Sequence, residues 1–283
     1  METFRTADGR VLAYRREGNG PILVCHPGGP GFSSRYFEDL AGLGDRLTLV
    51  LLDPRGTGAS DPPADRGAYR TEDYVSDLEE LREHLGLERI DLLGHSHGGV
   101  VAAAYAVAHP ERVARLVLAS TLARFGAEQQ EAMAAMMEAR TGEPWYADAK
   151  DALEREQAGE FHDADELAGL VEREMPFYFA RYGDEERAYV EWLAEERPNH
   201  DALELFNTEI VAVFDLRPGL ERITAPTLVI TGGLDFITGP VCAADFAAIP
   251  GQETVLLDGC GHFIFREGLD RFRAEVTRFL GVH

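Results

Sequence analysis

"IDLLGHSHGGVVAAAYA", residues 90–106, decides how the chain folds. An aliphatic run ends at Leu93, a serine framed by glycines follows, and an alanine-rich apolar stretch begins at once. Nearly continuous aliphatic residues suit a strand covered on both faces, and "GVVAAAYAVAH" (99–109) reads as a helix. A strand that turns straight into a helix makes a sharp elbow, which lifts the Ser96 hydroxyl above the carboxyl ends of the strands. With 29 Gly and six Ser in 283 residues, G-x-S-x-G arises by chance only about 0.06 times. It occurs once here, in the strand–turn–helix context that a nucleophile requires, so Ser96 is read as a nucleophile and not only as a turn residue.

Outward from the elbow, short apolar runs alternate with helical patterns, the signature of an α/β protein with a mainly parallel sheet. The runs at 21–25, 47–53, 89–94, 113–120, 226–232 and 253–258 read as buried strands. The opening stretch reads as two strands joined at Asp8-Gly9, which starts the sheet with a hairpin and brings the count to about eight. "TEDYVSDLEELREHLGL" (71–87) has Tyr74, Leu78, Leu81 and Leu85 on one helical stripe, with Thr71 as the expected N-cap. A last helix is expected over roughly Phe265 to Phe279. The alternation breaks at residues 121–222, which are helix-rich and carry 25 Asp and Glu against 10 Lys and Arg. This block reads as a helical cap inserted into a core formed by 1–120 and 223–283; most of its acids are read as solvated helix faces.

Composition narrows the function. The net charge of −23 opposes binding to nucleic-acid phosphates and to anionic membranes. No apolar run reaches 18 residues, and "METFRTADGR" lacks the basic and apolar regions of a signal peptide, so a cytoplasmic location is expected. Three scattered cysteines form no disulfide framework, and no C-x-x-C or H-E-x-x-H pattern points to zinc, so no metal and no cofactor are expected.

A serine hydroxyl needs a base, and the base needs an orienting acid. The order Ser, then Asp or Glu, then His is met by Asp235 in "TGGLDFITGP" and His262 in "LDGCGHFIFRE", each in a loop after a strand. Asp258 is a rival acid, read as a strand-end residue that caps the turn. His95 is expected to pack against the sheet, because alternate residues around an elbow point apart. His97 is expected to act through its backbone N–H, since the residue after the nucleophile donates to the oxyanion. "CHPGGPGFSSRYF" (25–37) follows the third strand and offers a second donor, Gly29 or possibly Gly28, stiffened by Pro27 and Pro30. Each such donor is typically worth about 3 kcal/mol of barrier. His84, His109, His162, His200 and His283 have no visible role.

Together these residues resemble the α/β-hydrolase family, and more narrowly its proline iminopeptidase group. "GGPG" (28–31), "LDPRGTGAS" (52–60), "HPERVARLVLAS" (109–120), "GGLDFIT" (232–238) and "GCGHF" (259–263) carry the resemblance in order. It departs in two places. The signature histidine of the group directly precedes the glycine pair, whereas here Pro27 intervenes after His26, and His97 stands where the group often has tryptophan. The resemblance implies a serine aminopeptidase that releases an N-terminal proline or small residue from a short peptide. It also implies a cap acid that reads the free amine, with Glu204 or Glu209 as candidates. The aromatics Phe177 and Tyr178 in "MPFYFARY" (175–182) are read either as pocket-lining or as the cap's own core. An esterase, lactonase or amide hydrolase acting on a small metabolite is the alternative, and a non-catalytic binding homologue is the alternative of another class. Nothing in the sequence sets the oligomeric state.

Overall fold

The computed structural model describes residues 1–282, so His283 lies outside it. Eight strands form one sheet in the order β1-β2-β4-β3-β5-β6-β7-β8. They are β1 (Glu2–Arg5), β2 (Val11–Gly18), β3 (Ile22–His26), β4 (Thr48–Leu52), β5 (Ile90–His95), β6 (Val113–Ala119), β7 (Thr227–Gly232) and β8 (Glu253–Leu257). The β1–β2 hairpin pairs antiparallel, and β2 also meets β4 antiparallel; every other pairing is parallel.

Side-chain alternation divides the aliphatic strands between two cores. Val24, Val50, Leu92, Leu116, Leu118 and Val229 face one side, whereas Leu23, Leu49, Leu51, Leu93, Val117 and Ile230 face the other. Helices α1 (Thr71–His84) and α2 (His97–Ala108) cover the first face. Helix α10 (Leu269–Leu280) covers the second, through Phe272, Val276 and Leu280. Full burial of each aliphatic side chain contributes about 1.5–3 kcal/mol relative to exposure, so these two apolar layers supply most of the driving force that holds the sheet edge in place.

Two helix boundaries differ from the sequence reading. Thr71 is the first helical residue of α1 and Arg70 is the N-cap; the Asp73 carboxylate accepts from the Arg70 amide at 2.9 Å. The acid at the third position therefore closes the helix, rather than the Thr71 hydroxyl. The final helix is broken: α9 (Ile264–Glu267) ends at Gly268, where the backbone leaves helical geometry and packs so close to Cys260 that a Cβ would lie 2.8 Å from its sulfur.

Between β6 and β7 the chain runs through α3 (Ala127–Glu138), α4 (Tyr146–Gln157), α5 (Ala164–Glu174), α6 (Asp184–Leu193), α7 (His200–Leu205) and a π-turn at Phe206–Ile210, before α8 (Pro240–Ala244) follows β7. This inserted segment is tied to the sheet edge at several points. The Leu216 amide donates to the Ala123 carbonyl at 2.9 Å across the base of the insertion, and the Asn199 amide donates to Gly31 at 2.8 Å in the loop after β3. Ser33 Oγ donates to Glu196 at 2.7 Å.

Candidate active site

The strand order reverses around β3, which lies between β4 and β5. In such sheets ligands bind outside the carboxyl ends of the strands at this switch point. Ser96 sits there, between β5 and α2, with φ 56° and ψ −127°. A side chain in this region of backbone space is strained and persists only where the surroundings enforce it. The enforcement is visible: the Ser96 amide donates to the Ala119 carbonyl at 3.0 Å, and its carbonyl accepts from Thr121 Oγ1 at 2.7 Å. Gly98 allows α2 to approach β3, because a Cβ there would collide with the carbonyl oxygens of His26 and Pro27.

Asp235, after β7, and His262, after β8, are both buried and joined by a 2.9 Å hydrogen bond from His262 Nδ1 to Asp235 Oδ2. Oδ2 also accepts from Thr238 Oγ1 at 2.6 Å, and Oδ1 accepts from the amides of Ile237 and Thr238 at 3.1 and 3.0 Å. Burial alone would raise the Asp235 pKa. The neighbouring His262 and these hydrogen bonds outweigh it and bring the value down to about 2. With Nδ1 donating to a carboxylate, the His262 Nε2 lone pair is free to take a proton. Ser96 and His262 line one cavity. Among the described residues their side chains are not yet in hydrogen-bond contact, and such contacts commonly tighten when substrate binds. Asp258, the rival acid, is exposed at the end of β8.

The loop after β3 lies against the elbow. A Cβ on Gly28 would come within 2.6 Å of Ser96 Cβ, so no larger residue fits. The Gly28 amide donates to Tyr36 Oη, which removes Gly28 from the candidate oxyanion donors. The Gly29 amide has no acceptor among the described residues. The His97 amide opens α2, where first-turn N–H groups have no partner within the helix. His95, between sheet and site, accepts from Tyr36 at Nδ1 (2.9 Å) and donates from Nε2 to the His262 carbonyl (3.1 Å). Burial holds its pKa down to about 3, with the His262 charge adding to the effect, so it stays neutral. The Asp/Arg turn after β4 braces this loop: Asp53 accepts from Ser34, and buried Arg55 grips Asp77 of α1 at 2.7 and 2.8 Å.

Two cavities meet at Ser96. The inner one, about 110 Å³, is lined by Phe32, Tyr178, Met175, Leu193 and Phe263, and Glu156 and Glu174 of the insertion also reach it. Both carboxyls are buried. Asn207 donates to Glu156 Oε1 at 2.8 Å and Tyr178 Oη to Glu174 Oε1 at 3.3 Å, while Glu174 Oε2 has no partner. Burial pushes the Glu156 pKa up to about 7, and burial with the repulsion of Glu156 holds Glu174 well above the usual carboxylate range. The outer cavity, about 270 Å³, shares Ser96, Glu156 and Tyr178 and opens past Gln130 and Gln157.

The sequence model of the alpha/beta hydrolase fold matches residues 21–269. The chain belongs to the α/β-hydrolase family. Within this family it is 30% identical to a proline iminopeptidase of Lactobacillus helveticus, over 97% of this chain and 94% of that protein. Among solved structures it is similar to the enol-lactonase of Burkholderia xenovorans LB400, with 26% identity, a TM-score of 0.76, and coverage of 99% of this chain and all of that one. The proline iminopeptidase of Mycobacterium smegmatis shares the fold at 23% identity and a TM-score of 0.73, over 99% and 97% of the two chains. Among the described residues no helix is long and apolar enough to cross a membrane.

Within this α/β-hydrolase, the structure corrects the expected substrate contacts. Glu204 and Glu209 lie on the outer surface of the insertion, and Glu209 pairs with Arg70 at 2.6 Å. Phe177 stacks on Phe236, in an apolar cluster that joins the insertion to the loop after β7, and lines neither cavity. Tyr178 does line both, with its ring 5.3 Å from that of His262 and its carbonyl accepting from the His262 amide at 2.7 Å. The acids that reach the site had a sequence signal. Glu156 continues the buried stripe Ala149, Ala152, Leu153 of α4, and Glu174 continues Leu167, Leu170, Val171 of α5. A glutamate in register with an apolar stripe is aimed inward, where a charge needs a partner.

Proposed function

We propose that the protein is a serine aminopeptidase of the proline iminopeptidase kind. The observation that carries this reading is the Glu156–Glu174 pair, two buried carboxyls facing the Ser96 cavity with one oxygen unpartnered. A buried acid pair is costly unless a cation completes it, and the free amine of a peptide N-terminus is such a cation. The small apolar cavity beside the pair suits a proline ring.

In the proposed reaction the amine settles between the two glutamates and places the scissile carbonyl at Ser96. Ser96 Oγ attacks the carbonyl carbon while its proton passes to His262 Nε2. Asp235 holds the imidazole in the required tautomer and stabilises its cationic form. The Gly29 and His97 amides donate to the oxyanion. On collapse, His262 gives the proton to the departing amine and an acyl-enzyme remains. A water molecule then loses a proton to His262 and attacks the ester; His262 returns that proton to Ser96 Oγ as the C–O bond breaks and the amino acid is released.

A prolyl anilide with a free amine is the test substrate. Turnover that is lost when the amine is acetylated supports the reading; equal turnover of both forms rejects it. Ester or lactone hydrolysis is the second reading, motivated by the likeness to an enol-lactonase. It needs Ser96, Asp235 and His262 but not the glutamate pair, so it predicts ester turnover that survives Glu174→Gln.

A further inference from the structure

The outer cavity takes no part in the reading above, and neither does the side chain of His97. That ring is only 4% exposed and is held edge-on between Tyr74 and Phe206, with centroids 5.3 and 5.1 Å away. Among the described residues its nitrogens make no hydrogen bond, and His97 lines the outer cavity. An imidazole with no protein partner beside a cavity is available to hydrogen-bond a ligand there.

The two cavities differ in a way that orients a substrate. No exposed residue lines the inner one, whereas Gln130, Gln157 and Ala212 at the rim of the outer one are exposed. If the amine lies at Glu156 and Glu174, the rest of the substrate extends from Ser96 into the outer cavity, past His97 and Phe206. Near Ser96 the outer wall is apolar, with Leu122, Phe206 and Ile237, and among the described residues it carries no lysine or arginine. Glu156 borders it as well, within an insertion rich in acids.

We propose that the outer cavity is the leaving-group subsite, in which His97 hydrogen-bonds the main chain of the second residue and selects an uncharged one. This inference rests on the aminopeptidase reading. The substrates it names are peptide amides and peptides of three or more residues with an apolar second residue. A dipeptide is disfavoured because its carboxylate lies too close to the scissile nitrogen to reach the solvent at the rim. It would sit beside Phe206 and Glu156 with no cation to pair it.

The experiment compares kcat/KM for prolyl-leucine amide, prolyl-leucine free acid and prolyl anilide, using the full chain. The amide is expected to exceed the free acid by about tenfold or more. His97→Phe is expected to lower the amide-to-anilide ratio about tenfold, mainly through KM, because the anilide lacks the second residue's main chain. Gln157→Arg, an exposed rim change, is expected to raise the free acid at least threefold relative to the amide. Parity between amide and free acid in the unmodified protein overturns the subsite, and an unchanged amide-to-anilide ratio in His97→Phe overturns the role of that ring. Failure to cleave any of the three free-amine substrates overturns the aminopeptidase reading and this inference with it, an outcome distinct from cleavage without preference.

Discussion

Asp235 at the sheet edge and the Glu156–Glu174 pair in the insertion are equally deep carboxyls with opposite chemistry. Asp235 receives hydrogen bonds from His262, from the Thr238 hydroxyl and from two amides, and its pKa falls to about 2. The two glutamates receive one donor each, and burial drives their pKa values upward. Burial alone therefore does not set the charge of a carboxyl. The sheet edge supplies every partner from within the fold, so the Asp235 charge is permanent. The insertion leaves its acids short of partners, so burial holds them toward the neutral form. In the proposed reading the first region serves the chemistry and the second serves recognition.

The comparison breaks at once if the sheet edge is not the reacting centre. Ser96→Ala is expected to lower kcat by about 10⁵-fold or more; full activity in this variant, measured on the best anilide or ester, would sink the mechanism. Asp235→Asn keeps the shape but lets the imidazole adopt the wrong tautomer, and a loss of about 10⁴-fold in kcat is expected. A change confined to KM would mean that the Asp235–His262 pair does not act on the reaction. Glu174→Gln and Glu156→Gln address the other side. Each is expected to raise KM for free-amine substrates by about 10- to 100-fold, the loss of a charge-assisted hydrogen bond, with little change for acyl esters. A uniform loss across both substrate classes would place the glutamates in the fold rather than in recognition.

The smallest expected effect is on stability against pH, and it has opposite signs in the two regions. Asp235 has a folded pKa below its ordinary 3.8, so its contribution is present above that value and lost as pH falls toward 2. Glu156 has a folded pKa raised from 4.5 to about 7. Its contribution is intact below 4.5 and is lost as pH rises to 7. Thermal melts of the ligand-free protein should show Tm declining by a few degrees over pH 4.5–7, a slope that Glu156→Gln flattens. An identical slope in that variant would show that Glu156 ionises freely.

Much of the scaffold was legible because strand and helix periodicities are local. The β-runs, the α1 stripe and the elbow at Ser96 each follow from residues within one turn or one strand. Thr71 and Gly268 show the limit of that reading: the α1 cap depended on the Asp73 carboxylate, and the break in the last helix on Cys260, which packs against it from outside the helix. Glu204 and Glu209 stand late in the insertion with no pattern that aims them inward, and they face solvent. Glu156 and Glu174 carried the better signal, a charge in register with an apolar stripe, but a stripe does not say which cavity it faces.

By itself the sequence determined that a parallel sheet would carry a serine elbow, and that an acid and a histidine would follow at later strand ends. Strand order and loop placement are consequences of hydrophobic pattern and glycine position. Only the tertiary structure decided which groups remain without partners. It committed the Gly28 amide to Tyr36, set His97 in the lining of the outer cavity, and brought two glutamates from different helices to one cavity. Whether a buried polar group is satisfied depends on neighbours far away in the chain, and Glu174 Oε2, left without a partner at the Ser96 cavity, is a case that no local pattern announces.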